Sequence, residues 1–126
     1  MIPCDNLWLM DTVEEKAQNT IMQMRRGILE YCIVKVLKDH AVYTAELINS
    51  LKKADLLVTE GTLYPLLNRL QKSGLLQYRW EESQSGPPRK YYSLTTEGES
   101  FLTHLDKAWK DIESSVHMIQ REQGSE

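Results

Sequence analysis

Between positions 62 and 72 the chain carries Thr62, Tyr64, Pro65, Asn68, Arg69 and Lys72, and soon afterwards the run Gly86-Pro87-Pro88-Arg89-Lys90-Tyr91. Asparagine matches an adenine edge with two hydrogen bonds, arginine matches guanine in the same way, and Arg and Lys both hold phosphate. The chemistry on offer is recognition of nucleic acid. Thr62, Tyr64, Asn68 and Arg69 suit bases or phosphates, with Arg69 and Lys72 better matched to the backbone. Gly86-Pro87-Pro88 stiffens the chain ahead of Arg89 and Lys90, so these two, with Tyr91 beside them, are presented at small ordering cost to a minor groove or its phosphates. Plainer roles stand beside these: Tyr64 can fill space next to the hairpin, Asn68 can cap or solvate, and the paired charge can keep a hairpin edge soluble.

Bond-making chemistry is not indicated. The sequence has no nucleophile with a nearby base in a recognisable motif and no phosphate-cradling glycine loop. His40, His104, His117, Cys4 and Cys32 do not fall at metal-ligand spacing. No catalytic residue, cofactor or metal is expected.

These side chains need elements to hold them. Leu63, Leu66, Leu67 and Leu70 recur at i, i+3, i+4 and i+7, which predicts a helix with one greasy side and the polar set on the other. Thr59 or a residue just after it caps this helix, and Lys72-Ser73-Gly74 ends it. A proline inside a helix costs about 3 kcal/mol, so the helix is expected to become regular only near residues 62–65, or to bend there. Leu76, Tyr78 and Trp80, then Tyr92 and Leu94, alternate with other residues and predict two strands, with residues 83–88 as the turn.

Upstream, Thr12 and Glu15 have the form of a capping box opening a helix to about Lys38, and Thr44 caps a short helix buried through Leu47, Ile48 and Leu51. Downstream, Thr95 or Thr96 opens a last helix, Thr96 and Glu99 fitting a capping box. The fold class is mainly α (α+β), a winged helix-turn-helix with a long C-terminal dimerisation helix. Residues 12–95 form the winged-helix domain and residues 96–126 the last helix with a frayed tail. Residues 1–11 are a tail or an extra turn.

In the last helix Phe101, Leu105, Ala108, Ile112 and Ile119 recur at spacings of three, four and seven, with Leu102, Trp109 and Val116 every seven beside them. Ile21 and Met24 belong to a narrower stripe in the first helix. A helix this long overhangs a small domain, so a second copy of the chain is its expected cover, although it can also fold back on its own core.

At 126 residues the chain makes one domain with a small core. Its net charge is −3, but the charge is uneven: −4 over residues 1–15, +5 over 16–95 and −4 over 96–126. The positive middle is where the polar helix and hairpin lie. The sequence shows no long apolar run, and a cytoplasmic protein without a membrane partner is expected.

Met24-Arg25-Arg26-Gly27-Ile28-Leu29-Glu30, Gly61-Thr62-Leu63-Tyr64-Pro65, Gly74-Leu75-Leu76, Gly86-Pro87-Pro88-Arg89-Lys90-Tyr91-Tyr92 and Leu94-Thr95-x-x-Gly98, in this order, resemble the PadR family of bacterial transcriptional regulators. The resemblance covers most of the chain. It implies a winged helix-turn-helix on double-stranded DNA, a homodimer made by the C-terminal helix with help from the first, and usually repression of neighbouring genes. Some regulators of this kind bind planar drugs or phenolic acids between subunits. Trp8, Trp80, Trp109, Met22, Met24 and Met118 are candidates for such a space, Trp109 first, as an effector contact or as an ordinary dimer anchor. Where the family commonly has Gly-Tyr-Glu, this chain has Thr44-Ala45-Glu46. A winged helix used only for protein binding is the rival reading.

Overall fold

A computed structural model describes residues 12–124, so the expectations for residues 1–11, Trp8 and Cys4 included, lie outside the described residues. The chain divides into two compact units, Met1–Glu30 and Tyr31–Glu126. Apart from Thr12, the described residues of the first unit belong to α1 (Val13–Val36), whose last turns belong to the second. Thr12 caps α1, its hydroxyl accepting the Glu15 N–H at 3.1 Å.

The second unit continues with β1 (Val42–Tyr43), α2 (Thr44–Lys53), α3 (Glu60–Lys72), β2 (Leu76–Ser83), β3 (Gly86–Leu94) and α4 (Thr96–Gly124). Ile33, Val34 and Leu37 after α1's midpoint, Leu47 and Leu51 of α2, and Leu63, Leu67 and Leu70 of α3 are almost wholly buried, joined by Val42, Leu76, Tyr92, Leu94 and Leu102. Each helix thus gives one apolar stripe to a single core. The caps set where the helices lie. Thr59 accepts the Thr62 N–H at the start of α3. At its end Gly74, at φ 80°, lets the Leu75 N–H reach the Leu70 carbonyl and its own N–H reach Gln71.

Several local expectations are corrected. The α2 cap is Tyr43, not Thr44, and its side chain makes no capping bond. The reason is β1, too short to leave a periodic signal, which commits Tyr43 to pairing with Tyr91 of β3. Pro65 lies inside α3, which is already helical from Glu60. The bond it removes would have gone to the carbonyl of Gly61, an exposed first-turn residue where water can substitute. Thr95 caps α4, accepting the Gly98 N–H at 3.0 Å, and the helix stays regular to Gly124.

The sheet is antiparallel in the order β1-β3-β2. Gly86-Pro87-Pro88, expected as turn, belongs to β3. The register moves by one residue between the pairs Glu81↔Arg89 and Ser83↔Gly86, so Pro87 and Pro88 together oppose Glu82 in a β-bulge. A bulge is where residues without an N–H are tolerated in a sheet. Only the base of the hairpin reaches the core. Tyr78 and Trp80, whose alternation with their neighbours predicts the strand, are 44% and 62% exposed.

α4 packs on β3, and a polar cluster ties it to the end of α1. The Tyr31 hydroxyl donates to Asp106, and Lys35 pairs with the same oxygen at 3.0 Å. The hydrogen bond from Tyr31, reinforced by Lys35, holds the Asp106 carboxyl below its ordinary value of 3.8, and the same contacts raise Tyr31 and Lys35. A carboxyl depressed in the folded state contributes stability that is present above 3.8 and lost as pH falls through its folded value. Wild type is accordingly expected to melt above Asp106→Asn at neutral pH, and the two melting curves to converge on acidification below that value. Parallel curves over the acid range would remove Asp106 as their cause.

Candidate nucleic-acid interface

On α3 the buried leucines turn the opposite side outward, and Thr62, Tyr64, Pro65, Asn68, Arg69 and Lys72 are all exposed. Thr62 is partly engaged, because the Thr59 hydroxyl donates to its oxygen at 3.2 Å within the cap. Tyr64, at 46% exposure, is not a core residue. It lines a cleft of about 400 Å³ together with Tyr43, Thr44, Trp80, Pro88, Arg89 and Lys90. The structure therefore brings Tyr64 together with the two hairpin cations. Asn68, Arg69 and Lys72 stand on the same helix outside that lining.

Arg89 and Lys90 do not form one paired charge. Neighbours along a strand point to opposite faces, and the register puts Lys90 beside Trp80 on one face and Arg89 beside Glu81 on the other. The Lys90 ammonium lies 4.0 Å from the Tyr78 ring centre, 5.1 Å from Tyr92 and 5.9 Å from Trp80. The Arg89 guanidinium lies 4.6 Å from the Tyr43 ring centre. Neither cation has a carboxylate within ion-pair reach among the described residues. Arg79 differs, being paired with Glu81 at 2.8 Å. Tyr91 is half-buried between Tyr43, 5.5 Å away centre to centre, and Arg79, 5.7 Å from its ring centre. Sequence reasoning missed Tyr43, because its ring enters the site through β1.

The other candidate surface is apolar. Ile112, Val116 and Ile119 are 49–59% exposed along α4, Trp109 less so, and Ala108 is also exposed. Phe101 and Leu105 are half-buried. Leu102, expected on the same seam, is 3% exposed and belongs to the protomer's own core, because the first turns of α4 lie against β3. In the first unit Ile21 and Met24 are exposed. Trp109 stands 6.4 Å from Tyr31, centre to centre, whereas Trp80 lines the hairpin cleft. Among the described residues no three His, Cys, Asp or Glu could hold a metal ion, and no helix is long and apolar enough to cross a membrane.

Three helices, a β-hairpin beside the third and a cation-bearing cleft between them define a winged helix of the DNA-binding type. The family model "Transcriptional regulator PadR-like family" matches residues 33–104. A PadR-like transcription factor from Bacteroides fragilis is 52% identical, with 80% of this chain and 98% of that chain covered and a TM-score of 0.69. A PadR family transcriptional regulator from Eggerthella lenta DSM 2243 is 30% identical, with 84% and 93% covered and a TM-score of 0.75. A transcriptional regulator of Mycobacterium tuberculosis is 30% identical over 94 residues, 75% of this chain and 87% of that protein. The chain belongs to the PadR-like family of transcriptional regulators, whose members are regulators rather than enzymes.

Proposed function

We propose that this protein is a cytoplasmic, homodimeric repressor that binds a pseudo-palindromic DNA operator. The observation that carries the reading is that Arg89 and Lys90, from opposite faces of the hairpin, have no carboxylate partner among the described residues and both border the cleft lined by Tyr64 of α3. α3 enters a major groove, which admits one helix, and Thr62, Tyr64, Asn68 and Arg69 meet bases or phosphates there. Lys72, Arg89 and Lys90 hold phosphate, while Pro65 and Tyr91 shape the surface around them. The exposed apolar face of α4, with Ile21 and Met24, is covered by a second copy. Two half-sites then fall about 34–36 Å apart on the duplex. A small aromatic effector is placed at Trp109, beside the seam.

Selection of duplexes from a random pool is expected to enrich an inverted repeat. Binding to that repeat weakens with salt by about 0.9 units of log slope per neutralised phosphate. Arg89→Ala with Lys90→Ala lowers the slope by about four such contacts, two from each subunit, and weakens every sequence alike. A salt-independent affinity, or a double variant that binds like wild type, would refute the DNA reading.

A further inference from the structure

We infer that Tyr43 is a positioning residue for the wing, holding the Arg89 guanidinium in the orientation from which it meets phosphate. The inference rests on the DNA-binding reading for its consequence, while the clamp itself is a property of the free protein. Tyr43 is fixed from both sides. Its backbone pairs with Tyr91 in the sheet and, at φ −88° and ψ 161°, forms the N-cap of α2. Its ring packs on Tyr91, 5.5 Å away centre to centre at 56°, and lies 4.6 Å from the Arg89 guanidinium. On the same sheet face Arg79 sits by Tyr91 and is neutralised by Glu81. The row Arg89, Tyr43, Tyr91, Arg79 thus ends in one engaged cation and one without a carboxylate partner among the described residues.

Guanidinium chemistry makes that arrangement useful. A flat cation packed on an aromatic ring uses its face and leaves the N–H groups at its rim for two parallel bonds to phosphate oxygens. An arginine on a stiff hairpin but without the ring must be ordered when it binds, and that ordering weakens binding. Lys90 cannot substitute, because its ammonium is a compact charge with no flat face and lies on the other side of the sheet.

The test compares Tyr43→Phe, which keeps the ring, with Tyr43→Leu, which removes it, on a duplex obtained by selection. Tyr43→Phe is expected to bind within about twofold of wild type, and Tyr43→Leu about three- to tenfold more weakly. Tyr43→Leu with Arg89→Ala binds no more weakly than Arg89→Ala alone. In the free protein, 15N relaxation of the Arg89 Nε–H shows restricted motion in wild type and Tyr43→Phe and faster motion in Tyr43→Leu. Should Tyr43→Leu fail to fold, Arg89→Lys keeps the charge without the flat cation and is expected to weaken binding as much. Additive losses, unchanged binding by Tyr43→Leu, or an Arg89 side chain equally mobile in all variants would overturn the assignment. If wild type binds no duplex, the DNA reading falls, and the relaxation comparison still decides whether the clamp exists.

Discussion

Ile112→Glu combined with Val116→Glu is expected to yield a folded protein that sediments as a monomer, whereas wild type, on the proposed pairing through α4, is expected to sediment as a dimer at the same concentration. Both residues are about half exposed in the protomer and lie beyond the turns of α4 that reach its core, so the substitutions cost the fold little. In a two-fold assembly each is buried twice. Removing four aliphatic side chains at about 1.5 kcal/mol each subtracts about 6 kcal/mol, or roughly four orders of magnitude in dissociation constant, before any cost of desolvating the carboxylates. Affinity for an inverted repeat falls with it, while a half-site is bound as before. A variant that remains dimeric by sedimentation would place the contact between copies on some other surface.

The second large effect is at Gly98. A Cβ built there falls 2.1 Å from the Leu75 carbonyl oxygen and 3.1 Å from its carbon, a backbone contact with no flexible end to move aside. The crowding comes from a joint between two helices. The Thr95 hydroxyl donates to the Gly74 carbonyl at 2.6 Å, the Thr95 N–H reaches Leu75, and the first turn of α4 is drawn onto the end of α3. Gly98→Ala is expected to cost about 2–3 kcal/mol, more than the ~1 kcal/mol that alanine returns as a better helix former. A fall in melting temperature on the order of 10 °C follows. Gly61→Ala is the control, since a Cβ there meets only the Thr59 hydroxyl at an ordinary 3.8 Å, and it should melt at or above wild type. Equal melting of the two variants would mean that the joint relaxes without cost.

The helices were legible because their ends carry side-chain chemistry as well as period. Thr12, Thr59 and Thr95 each cap through a hydroxyl, and Gly74 takes the positive φ that its place after Lys72-Ser73 calls for. What was not legible depended on contacts between distant segments. A two-residue strand has no period, so neither β1 nor the ring of Tyr43 beside Arg89 was visible in the sequence. Reading residues 83–88 as a turn hid the bulge, and with it the alternation that sends Arg89 and Lys90 to opposite faces. Leu102 satisfies the seven-residue spacing of the apolar face yet is buried in its own protomer, because spacing alone does not say how far along α4 the core extends. Tyr78 and Trp80 alternate as a buried strand face would, but the hairpin outruns the core.

β1 pairs with β3 only at Tyr91 and Tyr92, which leaves the outward half of β3 as an open sheet margin. Such margins are templates on which foreign strands polymerise. Here two successive residues, Pro87 and Pro88, have no N–H to offer, and the bulge skews the spacing of those that remain. A strand arriving at this margin of β3 therefore meets two missing donors and a skewed ladder, which oppose its addition.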